Sequence, residues 1–140
     1  MEHHRKLERM YAAAPINRFF KPSLRVDEGR AELSFWVADH LHHSAGAMHG
    51  SACFKALDDA AWFAVSSLVT EVFVLTTRFE VRLTRPVAYG TVRAVGEVTA
   101  RGEPISARAE LFDAQGRSVG TGEGDFVRGP VALGPEVHYL

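Results

Sequence analysis

The sequence predicts an α+β fold: a curved antiparallel sheet of about six strands wrapped around one central helix, with a short helix at the N-terminal end. Three observations carry that prediction. The segment that follows His49-Gly50-Ser51 and runs to Leu68 is apolar nearly all round (Ala52, Cys53, Phe54, Ala56, Leu57, Ala60, Ala61, Trp62, Phe63, Ala64, Val65), as expected of a helix enclosed by the rest of its domain. Two strand-like segments precede it and four follow, separated by turn signals. Gly120, Gly122 and Gly124 recur at period two in the last strand, which would weaken it unless a bulky partner, Trp62 or Phe63, approaches its backbone closely.

Taken in order, Leu7, Met10, Tyr11 and Ala14 fall at helical spacing before Pro15, so residues 3–14 read as a short amphipathic helix whose apolar stripe needs a surface to cover. Residues 19–37 read as a hairpin turning at Asp27-Glu28-Gly29, with Ala31, Leu33, Phe35 and Val37 alternating against polar neighbours. Strands are then expected at about 72–84, 90–100, 104–112 and 117–127. In the first of these, Leu75, Thr77, Phe79, Val81 and Leu83 share one face, with Thr76, Arg78, Glu80 and Arg82 on the other. The chain reads as one domain over residues 1–128, followed by a tail, 129–140, that is either a poorly ordered end or a strip laid on the surface.

Composition narrows the function. With 140 residues there is room for a single core and one site, and 46% hydrophobic with 24% charged residues is ordinary globular usage. Sixteen Lys and Arg against 17 Asp and Glu leave no basic field, so nucleic acid is not an expected partner. The charged opening MEHHRKLERM lacks the apolar stretch of a signal peptide, and residues 60–70 are too short to span a bilayer; a soluble, cytoplasmic protein with no membrane partner is expected. Cys53 is the single cysteine and reads as a small buried hydrophobe. His40, His42, His43 and His49 match no metal-site spacing, so no metal and no cofactor is expected, and His3, His4 and His138 read as solvated. The phosphate-loop, dinucleotide and serine-elbow patterns are all missing.

Asp58 is the residue composition leaves unexplained, because a carboxylate on an otherwise apolar helix costs several kcal/mol unless it is paired, hydrated or useful. One reading puts Asp58 and Asp59 on a single solvated edge, bridged to Lys55; the other makes Asp58 a catalytic group. At the start of the same helix, His49-Gly50-Ser51 offers unpaired backbone N–H groups and the positive end of the dipole, suited to a developing oxyanion. Eight residues separate Gly50 from Asp58, about 12 Å along a helix. A single reacting carbonyl needs both within about 3 Å. If they cooperate, Gly50 of one subunit faces Asp58 of another, and a two-fold dimer with antiparallel central helices achieves this twice.

The element order together with HSAGAMHGSACFKALDDAAWFAV resembles the hotdog-fold acyl-CoA thioesterases of the phenylacetate-pathway type. Their N-x-x-G-x-x-H-G-G pattern, with an Asp nine positions after the His, is matched at Gly46, His49, Gly50 and Asp58; Thr76, ten residues before Pro86, matches the position that holds the attacking water. The sequence departs at His43, where the family has Asn, and at Ser51, where it has the second Gly. The resemblance implies hydrolysis of an acyl-CoA to a carboxylic acid and free CoA, in a homodimer or homotetramer with its sites at the dimer interface. It implies that the Gly50 N–H polarises the carbonyl, Asp58 acts as general base or nucleophile, Thr76 orients water, His49 shapes the oxyanion end, and His43 donates to the carbonyl. Phe54, Leu57 and Trp62 would wall the acyl pocket, and Arg85, Arg101, Arg108 and Arg128 are candidates for the nucleotide phosphates. Two other readings remain: a catalytically silent module that binds acyl-CoA, favoured by His43 and Ser51, and a hydratase or dehydratase, which would need a His paired with an acid across the site.

Overall fold

The computed structural model describes residues 2–140. Helix α1 (Glu2–Ala13) is followed by a single turn, α2 (Asn17–Phe20), then by strands β1 (Ser23–Asp27) and β2 (Arg30–Trp36), the long helix α3 (Gly50–Ser66), and strands β3 (Val72–Leu83), β4 (Thr91–Ala100), β5 (Ile105–Phe112) and β6 (Ser118–Ala132). All six strands form one sheet in the order β1-β2-β4-β5-β6-β3, every pairing antiparallel. The expected fold class is the observed one.

Helix α3 lies against the inner face of the sheet. Ala56, Leu57, Ala60, Ala61, Ala64 and Val65 are fully buried against Leu33, Val92, Ala94 and Leu111. The run of alanines lets the helix axis come close to the sheet, and the closest approach is at Gly96, where a Cβ would stand 2.2 Å from the Ala60 carbonyl oxygen. The period-two glycines of β6 serve a different neighbour from the one expected. A Cβ at Gly122 or Gly124 would strike the ring of Phe79 on β3, and one at Gly120 would crowd Leu83 and the Arg82 carbonyl, so Phe79 rather than Trp62 or Phe63 is the bulky partner.

Several boundaries differ from the sequence reading for local reasons. Residues 17–20 form a helical turn, which takes in residues 19 and 20 where the hairpin was expected to open: Asn17 Nδ2 donates to the Tyr11 carbonyl, and Lys21, at φ +52°, ends the turn with its N–H on the Asn17 carbonyl. Strand β6 continues to Ala132, well beyond residue 127, because β3 keeps pairing with it (Val74 with Arg128, Val72 with Ala132) across an irregularity that accommodates Pro130. The following residues make a 3-10 turn (Pro135–Val137) that packs against α1. His3 and His4, expected in solvent, are buried: one ring nitrogen of His3 lies 2.8 Å from the Tyr139 hydroxyl and the other 2.8 Å from the Ser66 carbonyl oxygen.

The two sheet edges are treated differently. The outward N–H and C=O of Val26 on β1 are taken by Glu8 and Arg5 of α1, which also pair with each other at 2.9 Å. Beyond the single bond from the Trp62 indole to the Val74 carbonyl, β3 presents a long open edge with Leu75 and Leu83 43% and 48% exposed.

Candidate active site

Residues Asp58 and Asp59 are neighbours in sequence but about 100° apart around α3. Asp59 is fully engaged: Lys55 Nζ, one turn earlier, lies 2.5 Å from its Oδ2, and the Tyr11 hydroxyl donates to the same oxygen at 2.6 Å. Burial and the Asp59 charge raise the Tyr11 phenol well above its ordinary value, so it stays a neutral donor. Of the two readings weighed for this pair, the Lys55 bridge applies to Asp59 alone.

Asp58 has no cation of its own. Its Oδ1 accepts a hydrogen bond of 3.2 Å from the Thr76 hydroxyl on β3, and its carboxyl is pushed up to about 6, first by burial and then by the negative charge of Asp59, against smaller opposing effects of Thr76 and Lys55. Strict alternation along β3 puts Thr76 on the face opposite Phe79. The register slips between Thr76 and Arg78, however, and the extra residue, Thr77, returns Thr76 to the helix side, opposite the buried Phe126 of β6. A β-bulge therefore delivers the hydroxyl to the carboxylate.

Asp58 and Thr76 open into a cleft of about 530 Å³ between α1, α2, α3 and β3. Met10, Tyr11, Pro15, Ile16, Trp62, Phe63, Phe73, Val74 and Leu75 make most of it apolar, and Val137 and His138 reach it from the C-terminal turn. Of the three expected walls, Trp62 takes its place there. Leu57 is fully buried in the core, and Phe54, 40% exposed, packs edge-on against Phe79 with ring centroids 5.5 Å apart. The contribution of α1 and α2 was missed by sequence reasoning; the signal available was the apolar stripe of residues 7–14.

At the other end of α3, His49 caps the helix. Its Nδ1 accepts from the Ser51 N–H at 3.0 Å and lies 2.8 Å from the Ser51 hydroxyl, so the imidazole N–H is the outward Nε2. This occupies the Ser51 N–H and leaves that of Gly50, which donates to none of the described residues. His43 is exposed on the loop before the helix, its Nδ1 accepting from the Ala45 N–H, and Gly46 turns that loop at φ +81°. His40 and His42 lie within hydrogen-bond distance of the Phe19 and Ala88 carbonyl oxygens.

The candidate arginines do not form one patch within a chain. Arg85 follows β3 at the Gly50 end of α3, whereas Arg101 stands beside Glu28 at the opposite end; Arg128 pairs with Glu103 at 2.9 Å, and Arg108 with Glu97 on the outer face of the sheet at 3.5 Å. Gly50 and Asp58 likewise remain two turns apart on one helix.

The family model of the thioesterase superfamily matches residues 45–120, more than half of the chain. The chain belongs to that superfamily. Its fold matches that of the Escherichia coli PaaI protein from the phenylacetic acid degradation operon with a TM-score of 0.82 at 20% identity, covering 94% of this chain and 99% of that one. A thioesterase family protein from Silicibacter pomeroyi aligns with a TM-score of 0.82 at 25% identity over 91% and 99% of the two chains. A conserved protein of Pseudomonas aeruginosa aligns with a TM-score of 0.79 at 27% identity over 86% and 98%. No curated protein sequence matches the chain. The superfamily match spans the end of the loop before α3, the whole of that helix, β3 through β5 and the start of β6, and so contains His49, Gly50, Asp58 and Thr76 but not His43. Among the described residues no helix is long and apolar enough to cross a membrane.

Proposed function

We propose that this superfamily member hydrolyses an acyl-CoA thioester to a carboxylic acid and free CoA. The observation that carries the reading is the isolation of Asp58: a half-buried carboxylate without a cation, raised toward neutrality, held by one hydroxyl at the mouth of an apolar cleft. Near neutral pH most of it is ionised, so it can accept a proton, while its raised value lets it return that proton in the next step.

The water held between Asp58 and the Thr76 hydroxyl attacks the thioester carbonyl carbon and gives its proton to Asp58. The carbonyl oxygen becomes an oxyanion that the free N–H of Gly50 and the helix dipole stabilise. Collapse re-forms the C=O bond and breaks C–S; the proton passes from Asp58 to the departing thiolate. The roughly 12 Å between Gly50 and Asp58 on one helix requires that they come from two chains, and the open edge of β3, with Leu75 and Leu83 exposed, supports a homodimer joined there. The outward Nε2–H of His49 lies on the oxyanion side of that arrangement.

Release of free thiol from a panel of short, medium, long and aromatic acyl-CoAs tests the reading. The wild type is expected to turn over at least one member, Asp58→Asn to lose on the order of a thousandfold, and Asp59→Asn to lose far less. Tight acyl-CoA binding with no release from any member contradicts hydrolysis and leaves a binding module, the role that His43 and Ser51 in place of Asn and Gly would suit.

A further inference from the structure

The segment after β6 is built to a higher standard than a surface tail needs. Leu133 donates its N–H to the Glu71 carbonyl at 3.0 Å, which brings the chain to the far end of the cleft. There Val137, His138 and Tyr139 donate to the carbonyls of Gly134, Pro135 and Gly134 at 3.0–3.1 Å, and His138 adopts φ +64°, a conformation that non-glycine residues rarely take. Tyr139 fastens the turn. Because the Ser66 carbonyl only accepts, His3 Nε2 carries the ring proton, and His3 Nδ1 accepts from the Tyr139 hydroxyl; Lys6 sits over the Tyr139 ring and Arg9 donates to the Leu140 carbonyl. The turn thus hangs from α1, whose His3 is in turn bonded to the last residue of α3.

We propose that Val137 and His138 form the end wall of the acyl cleft and limit the length of the chain accepted, with the Tyr139–His3 hydrogen bond as the latch that positions the wall. This rests on the thioesterase reading for the identity of the occupant. Ser66, to which the latch is tied, lies two turns beyond Asp58 on α3, about 12 Å along the axis. Between them the cleft is lined by Trp62, Phe63 and Phe73, so an acyl chain whose carbonyl sits at Asp58 runs over these rings and meets Val137. Up to that point each added methylene improves kcat/KM by about fourfold, and past it the gain stops. Tyr139 and His3 touch no substrate; they are positioning residues.

The test measures kcat/KM for butanoyl-, octanoyl- and dodecanoyl-CoA, together with calorimetric binding of the same compounds to each variant carried in an Asp58→Asn background. Val137→Ala is expected to raise the dodecanoyl-to-octanoyl ratio by about tenfold and Val137→Phe to lower the octanoyl-to-butanoyl ratio by a similar factor. Tyr139→Phe is expected to raise the dodecanoyl-to-octanoyl ratio through KM, not kcat. Thiol release with both ratios within about twofold of wild type in all three variants overturns the end wall and leaves the thioesterase reading standing. No release, with binding ratios shifted as stated, contradicts the thioesterase and upholds the wall; neither release nor binding overturns both.

Discussion

Two concavities among the described residues contrast, and the larger of the two is the less informative. The groove on the outer face of the sheet, about 870 Å³, is lined by four arginines (Arg30, Arg82, Arg93, Arg108) and four glutamates (Glu80, Glu97, Glu110, Glu123). Several of its charges are paired at the surface: Arg108 with Glu97 and Arg93 with Glu32 across neighbouring strands, Arg30 with Glu32 along one strand, and the Arg93 guanidinium lies over the Phe112 ring. The cleft beside α3 is smaller and mostly apolar, and its one carboxylate without a cation has been moved toward neutrality. A balanced, hydrated surface stores no reactivity, whereas an uncompensated charge in apolar surroundings does, and it costs stability to keep.

That contrast breaks most sharply at Gly50. As the first residue of α3 behind an extended His49 (φ −60°, ψ 143°), it can become proline without disturbing the helix, so Gly50→Pro replaces the N–H by a ring carbon, while the added Cβ meets Leu83 at an ordinary 3.5 Å. Steady-state kinetics should show a loss of about 10²–10³ in kcat with the far-ultraviolet circular dichroism unchanged. In wild type, kcat/KM should rise through an apparent pKa of about 6 and level off above it, because only ionised Asp58 accepts the water's proton. A profile flat from pH 5 to 8 would remove Asp58 as the base.

The same raised value gives a stability prediction of opposite sign to the activity. A carboxyl whose folded value lies above its unfolded one binds protons better when folded, so folding is penalised at pH above about 6 and the penalty fades as pH falls toward the ordinary aspartate value of 3.8. Urea unfolding at pH 7 should therefore find Asp58→Asn more stable than wild type by about 1–2 kcal/mol, a figure reduced for partial solvent screening, with the difference shrinking near pH 4. The smallest effect belongs to the outer groove: Glu97→Gln or Arg30→Gln should change unfolding free energy by less than about 0.5 kcal/mol and leave thiol release unaltered.

How much of this was legible beforehand follows from which signals are local. The buried helix and the succession of helices and strands along the chain are properties of short stretches, and the structure has both; the spacing of Gly46, His49, Gly50, Asp58 and Thr76 is likewise read from short stretches. Features set by distant partners were not legible. Nothing in residues 72–83 announces a bulge at Thr77, which depends on how β6 lies alongside, and it is this bulge that turns Thr76 toward Asp58. Nothing near Asp59 names Tyr11, 48 residues earlier, as its second partner. The burial of His3 depends on Tyr139 at the other end of the chain, and the glycines of β6 were assigned to the wrong aromatic because their neighbour is set by sheet order.

The central claim, that Asp58 and Gly50 of different chains act on one thioester, is tested most directly by mixing. Asp58→Asn and Gly50→Pro proteins, each nearly inactive alone, would be unfolded together in equal amounts and refolded, and thiol release measured on the best acyl-CoA. In a two-fold dimer half of the refolded molecules are mixed, and each mixed dimer holds one site with both groups intact, so activity should return to about a quarter of wild type. Activity that stays at the level of the separate variants, in a mixture shown by mass spectrometry to contain the mixed dimer, would contradict a site shared between chains.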